Sequence, residues 1–311
     1  MNMNSKTEFP DRQAWLAARA QWIGASEVAI VVLPPELRPR WMKSPYALWA
    51  EKRGVPQPDN ENAAMRWGLR LEQAIADQAV EQLRDNMPDL FAVEFPFTVW
   101  RHPDAPLAAT PDRVLFDAPA DPVVAGLLEC KTARSAADWI DGPPLYYQVQ
   151  VQAQLACTGL SHAWLAVLIG GSDFRLFSQQ RNDLFIKRML DAVRKFWERV
   201  DSGEPPDVDG HESTSRAISA THYLDNGETV QLPPTCIDYD ERLQALRAEI
   251  AERQAEKEEL ENRIKTAIGD AKYGVLPHCR YSFSTVDAPE KTVVIPAKHY
   301  RVLRRAERRD T

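Results

Sequence analysis

No run of about 18 apolar residues occurs in the 311-residue chain, so a membrane-spanning helix is not expected. The opening Met1-Asn2-Met3-Asn4-Ser5-Lys6 lacks the apolar segment of a secretion signal, which points to an intracellular, cytoplasmic protein. Cysteine is scarce. Cys130, Cys157, Cys236 and Cys279 are dispersed without Cys-x-x-Cys spacing, which leaves a disulfide framework or a zinc ribbon without support. Positive charge is also short, 38 Lys and Arg against 45 Asp and Glu, and a net charge of −7 argues against a protein that coats nucleic acid non-specifically. A locally basic channel remains compatible with that total. Arg38, Arg40, Lys43, Lys52 and Arg53 cluster early, and Arg301, Arg304, Arg305, Arg308 and Arg309 crowd the end; each group reads equally as a solvated face or as a DNA contact.

What is present is more specific. Thr110-Pro111-Asp112 is followed, seventeen residues after Asp112, by Glu129 in Leu128-Glu129-Cys130-Lys131-Thr132. Arg113 to Phe116 reads as a strand, a Pro/Asp/Ala turn follows, and a second apolar run from Val123 reaches Glu129. An antiparallel hairpin centred near Ala120 and Asp121 sets Asp112 opposite Glu129. Strand alternation then puts Glu129 and Lys131 on one face and Leu128 and Cys130 on the other. Two carboxylates suit magnesium, which takes hard oxygen ligands, and the backbone carbonyl of Cys130 offers a third oxygen. A neighbouring ammonium such as Lys131 can orient water or stabilise charge on a phosphate. The bland alternative is a turn Asp after Pro and a surface Glu-x-Lys pair. Against it stands the apolar Gly126-Leu127-Leu128, which implies a buried strand where an ionised Glu needs a partner.

These residues resemble the PD-(D/E)xK nuclease superfamily and, within it, the YqaJ-like viral recombinase and lambda-type exonuclease group. Four further blocks follow the family order. Trp22-Ile23-Gly24-Ala25-Ser26-Glu27 resembles its IGASD signature, with Glu27 where Asp is usual. Ser44-Pro45-Tyr46-Ala47-Leu48-Trp49, Gly68-Leu69-Arg70-Leu71-Glu72 and Tyr146-Tyr147-Gln148-Val149-Gln150-Val151-Gln152 resemble the others. The resemblance implies Asp112 and Glu129 as metal ligands, Lys131 as catalytic lysine, Glu72 as an acidic residue near the metals, and Gln152 in the active site. It implies Arg19 and Ser26 as the pair that binds a 5′-terminal phosphate; on the residues alone, Ser26 reads as a helix N-cap and Arg19 as a solvated charge. It further implies Mg2+ as cofactor, two ions with Mn2+ able to substitute. Double-stranded DNA ends are the implied substrate and a single-strand annealing protein the implied partner, with a ring-shaped homo-oligomer, a trimer in the family.

The expected fold is α/β, a nuclease core whose central mixed β-sheet is flanked by helices, with a smaller C-terminal helix-and-hairpin appendage. Boundaries are expected at 1–202 for the core, 203–235 for a Pro/Gly/Ser-rich linker or arm, and 236–311 for the appendage. Helices are expected from Asp11 to Gln21, from Ser44 to Gly54, from Met65 to Asp85 and from Leu184 to Val200. Phe91 to Arg101 reads as one strand, and His162 to Gly170 with Phe174 to Gln180 as a hairpin. Residues 145–158 alternate like a strand, yet their glutamines share a face only in a helix; the resemblance favours helix. Tyr239 to Ile268 carries heptad-like apolar positions interrupted by Arg253 and Lys257, which points to a short helical hairpin or to packing on the core. Strands are expected over Arg280 to Val286 and Lys291 to Ile295.

The activity implied is a Mg-dependent 5′-to-3′ exonuclease on linear duplex DNA that leaves 3′ overhangs for recombination. An endonuclease of restriction or repair type would use the same triad and would cut closed circles. A catalytically silent DNA-binding protein on the same fold would cut neither.

Overall fold

The computed structural model describes residues 4, 6–56, 63–120, 122–292 and 300–306. The chain divides into two units, Met1–Tyr223 and Leu224–Thr311. In chain order the first contains β1 (Lys6–Glu8), α1 (Arg12–Ala18), β2 (Ile23–Gly24), α2 (Val28–Val32), α3 (Pro45–Lys52), α4 (Ala63–Leu83), β3 (Phe91–Val93) and β4 (Thr98–Arg101). It continues with β5 (Leu107–Ala109), β6 (Arg113–Asp117), β7 (Val123–Ala133), α5 (Leu145–Thr158), β8 (His162–Ile169), β9 (Asp173–Gln180), α6 (Asp183–Ser202) and α7 (Glu212–Thr221).

The apolar alternation around Glu129 builds the centre of this unit. A five-stranded mixed sheet has the order β3-β6-β7-β8-β9. β7 and β8 run parallel because α5 carries the chain back between them, and the other neighbours are antiparallel hairpin or edge pairings. Consecutive residues of β7 feed opposite faces. Leu127 packs with residues of α2, α3, α5 and α6, whereas Leu128 and Cys130 pack with Ile75, Ala76 and Ala79 of α4. Leu127 and Leu128 are both 0% exposed, so truncation of either to alanine costs roughly 2–5 kcal/mol. Gly126 permits the close approach of β7 to β8, since a Cβ there would lie 2.7 Å from the His162 carbonyl oxygen. This is the mixed sheet flanked by helices that the α/β expectation describes.

Local signals set the helix starts. Asp11 accepts from the Ala14 N–H at 2.8 Å and opens α1; Ser44 accepts from Ala47 at 3.1 Å and opens α3 with Pro45 in its first turn. Asn182 caps α6, whose Phe196 and Val200 are buried as core. The ambiguous 145–158 segment is helix, closed by Gly159 in the left-handed region at φ 77°.

Several expectations are corrected. Phe91 to Arg101 forms two strands in different sheets, because Pro96 and Phe97, at φ 50°, turn the chain between them. β4 instead joins the four-stranded sheet β1-β4-β5-β2, which delivers the chain to Asp112. The supposed linker contains α7. Ala217 is fully buried there, and the Ser213 and Thr214 hydroxyls bond to Ser44 at 3.2 and 2.7 Å, tying α7 to the start of α3.

The second unit contains α8 (Thr235–Ile268), β10 (Tyr273–Leu276) and β11 (Cys279–Ser282). α8 is one helix of 34 residues rather than a short helical hairpin. Arg253 pairs with Glu256 and Lys257 with Glu261 at helical spacing, so the two cations continue the helix instead of breaking it. The β-pairing is β10 with β11, displaced toward the N-terminus from the strands expected at Arg280 to Val286 and Lys291 to Ile295. Much of the latter segment, together with Asp121, Arg308 and Arg309, lies outside the described residues. Among the described residues no helix is long and apolar enough to cross a membrane.

Candidate active site

The β6–β7 register pairs Arg113 with Leu128, so Asp112, one step beyond, falls opposite Glu129. Asp112 closes the pairing with its side chain, Oδ2 accepting from the Cys130 N–H at 2.7 Å. Glu129 is 2% exposed and bonded to the Lys131 ammonium two residues on, as strand alternation requires. Burial works against the charge on Lys131, but Glu129 and Asp112 outweigh it and push its pKa up. Lys131 is thus set as a hydrogen-bond donor and charge partner of Glu129. Burial first, then the charge on Glu129, pushes the Asp112 carboxyl well above the usual range. Burial likewise raises the Cys130 thiol, so this residue offers its carbonyl oxygen rather than a thiolate.

The glutamines of α5 require a correction. Gln150 donates to Glu129 Oε1 at 2.5 Å and Gln154 to Oε2 at 2.6 Å. Residues four apart share a helix face, and Gln152 lies on another. Its amide donates to the Gln180 carbonyl at 2.8 Å and its oxygen accepts from the Asn182 N–H at 2.8 Å, which fastens α5 to the start of α6. Gln152 thus stands away from Glu129, and Gln150 and Gln154 hold the position expected of it. The i, i+4 spacing of these two glutamines was the available signal.

Glu72, on α4, bonds to Arg113 at 2.7 Å, and Arg113 also donates to Gln73 at 2.9 Å. Glu72 still borders the site and is one of the charges that raise the Asp112 pKa. A cavity of about 440 Å³ opens beside Asp112 and Glu129. Asp112, Glu129, Gln150, Gln154 and Glu72 contribute to its wall, as do Arg19 and Ser26.

Ser26 lies in a short 3-10 turn, Ala25–Glu27, and does not cap a helix; the Glu27 side chain accepts from the Gly24 N–H at 2.9 Å instead. Arg19 is half-buried rather than free in solvent, its guanidinium 3.5 Å from Glu27 and 5.3 Å from the Trp15 ring. Glu27, known from the sequence only as the last residue of the Trp22–Glu27 block, is the centre of a cluster of cations. It is 4% exposed, with Lys52 at 2.7 Å and Lys43 at 3.7 Å as further cations. Burial pushes its carboxyl up, but Lys52, Lys43 and Arg19 outweigh burial and hold it at about 2. Lys43 is bonded to Glu51 as well, so three cations meet two carboxylates here, an excess of one positive charge around Glu27.

Among the described residues no group of three or more His, Cys, Asp or Glu side chains is set to hold a metal ion. The donors that fit a hard cation are Asp112, Glu129 and the Cys130 carbonyl. An ionised carboxylate has about four lone-pair sites, and Lys131, Gln150 and Gln154 occupy three on Glu129. The remaining site and the crowding of negative charge on Asp112 suit Mg2+, which needs only one or two carboxylates.

The chain is similar to several known proteins. The chain has 22% identity to an alkaline exonuclease of Laribacter hongkongensis, covering 61% of this chain and 93% of that one at a TM-score of 0.48. A structure of the same exonuclease with dAMP gives 23% identity, 61% and 93% coverage, and 0.47. The YqaJ protein of Bacillus subtilis strain 168 is 30% identical over 281 residues, 88% of this chain and 83% of that protein. The model of the YqaJ-like viral recombinase domain matches residues 14–161, a span that contains every side chain described around the cavity. By that match and that relative, the chain belongs to the YqaJ-like viral recombinase domain family.

Proposed function

We propose that the protein is a metal-dependent nuclease that degrades linear double-stranded DNA from its 5′ ends and leaves 3′ single-stranded overhangs. One observation carries this reading: Asp112 and Glu129 line the same cavity as Arg19 and Ser26. A terminal phosphate held at one end brings a phosphodiester to the carboxylates at the other, and positioning of this kind lowers the barrier by prepaying orientation.

Asp112, Glu129 and the Cys130 carbonyl would hold the ion. When bound, Mg2+ polarises the phosphate and lowers the pKa of water, and Mn2+ can supply the same chemistry. Lys131, a cation fixed by Glu129, stabilises charge that develops on the phosphate. Gln150 and Gln154 keep Glu129 in one orientation. Arg113 pairs with Glu72 and fixes that carboxylate at the border of the site. Arg19 supplies a guanidinium and Ser26 a hydroxyl to the 5′ phosphate, with Glu27 fixing the Arg19 side chain.

The 3′ overhang is the substrate of a single-strand annealing protein, which is the partner this reading implies. A ring-shaped homo-oligomer, a trimer by family resemblance, would keep the duplex threaded between cuts. Rates on linear duplex with 5′-phosphate and 5′-hydroxyl ends test the reading. Arg19→Ala and Ser26→Ala are expected to lower the preference for phosphorylated ends roughly tenfold, as loss of a charge-assisted hydrogen bond does. An unchanged preference in both variants would remove them from the phosphate site.

A further inference from the structure

A row of aromatic side chains leads from the surface to Lys131. The loop before α3 reads Leu37-Arg38-Pro39-Arg40-Trp41-Met42-Lys43, basic residues interleaved with apolar ones. Trp41 is 68% exposed, a large apolar area to leave in water. Its inner edge meets Tyr146 of α5, with ring centroids 5.6 Å apart at 84°. Tyr146 in turn lies 4.4 Å from Tyr147. The Lys131 ammonium sits 5.0 Å from the Tyr147 ring centroid, and Trp139 packs against that ring at 5.6 Å. The row therefore starts at an open indole and ends on the side chain bonded to Glu129.

Core packing explains Tyr147 and the inner side of Tyr146, both packed on the main core, but not the exposure of Trp41. An exposed aromatic held edge-on by a tyrosine, on a loop carrying Arg38 and Arg40, has the composition of a nucleobase platform. Every base has a π face to stack, and a cation nearby serves the phosphate. Base faces are available only where the bases are unpaired and unstacked, which selects a single strand over intact duplex.

We propose that Trp41, backed by Tyr146 and anchored through Tyr147, is a base-stacking site for single-stranded DNA at the approach to Lys131. This rests on the nuclease reading for its place in a reaction, but the stacking itself is measurable without cleavage. The test is fluorescence anisotropy of labelled poly-dT with the full chain in EDTA, repeated with an abasic oligonucleotide of equal length. Trp41→Ala is expected to weaken poly-dT binding roughly tenfold, with Trp41→Phe restoring most of it. The salt dependence and the affinity for the abasic strand are expected to stay unchanged, because stacking and not charge is removed. Equal poly-dT binding by wild type and Trp41→Ala, no binding by either, or equal losses on poly-dT and the abasic strand would overturn the proposal. Magnesium-dependent cleavage by the wild type is scored separately. Cleavage without a Trp41 effect on binding removes only the stacking site; Trp41-dependent binding without cleavage removes only the nuclease reading.

Discussion

Gln154, 1% exposed on α5, donates its amide to Glu129 Oε2 at 2.6 Å, while Gln150, one turn earlier, donates to Oε1 at 2.5 Å. The buried carboxylate on the sheet is thus held from the helix above it, and the two elements are locked at the point where the chemistry is expected.

Removing either glutamine has a different consequence from removing Gln152. Gln154→Ala leaves a buried carboxylate oxygen without its donor, a loss of roughly 1–3 kcal/mol in urea unfolding, together with lower cleavage. Gln150→Ala, on the more open side, is expected to reduce cleavage with less effect on stability. Gln152→Ala breaks only the α5–α6 tie, about 1 kcal/mol, and leaves the cleavage rate near wild type. A Gln152→Ala enzyme as inactive as Gln150→Ala would contradict the placement of these side chains.

Glu27→Gln is expected to destabilise the protein by about 3 kcal/mol at neutral pH, from a carboxyl that moves from 4.5 unfolded to about 2 folded. Its acidity is greater in the folded state, so its contribution is complete above pH 4.5 and is lost as pH falls toward about 2. Urea unfolding of both proteins across that window checks the sign: the two curves should converge on acidification. A gap that widened as pH fell would show that Glu27 is not the anchor of Lys52, Lys43 and Arg19.

Asp112 runs the other way. Its carboxyl is pushed up by burial and by Glu129, so ionising it costs more in the fold than in the unfolded chain. Asp112→Asn keeps an oxygen for the Cys130 N–H and removes that charge. The metal-free variant is expected to melt at a higher temperature than the wild type, yet to show no stabilisation by Mg2+ and no cleavage. A variant that melts lower in EDTA would place the repulsion elsewhere.

The sheet half of the site was legible in the sequence, because a strand has only two faces: alternation set Glu129 and Lys131 on one face, and the hairpin centre set Asp112 opposite Glu129. The helix half was not. Gln148 and Gln152 share one face of α5 and Gln150 and Gln154 another, and which pair meets Glu129 depends on how the helix is rolled over the sheet, a property of packing across the chain. Glu27 was hidden for a similar reason: Lys43 and Lys52, its partners, lie 16 and 25 residues away, and a buried Glu carries the same letter as a solvated one. α7 was masked by its own composition. Its Ser and Thr residues, which read as linker, are the hydroxyls that bond to Ser44.

The most direct measurement is cleavage of matched linear and covalently closed duplex DNA with Mg2+, wild type beside Lys131→Ala. The expected result is loss of the linear substrate alone, stopped by EDTA and slowed by about a hundred- to a thousandfold in Lys131→Ala, the loss of one positioned charge. Cutting of the closed circle would contradict an end-dependent exonuclease, and no metal-dependent cleavage of either substrate would contradict a nuclease altogether.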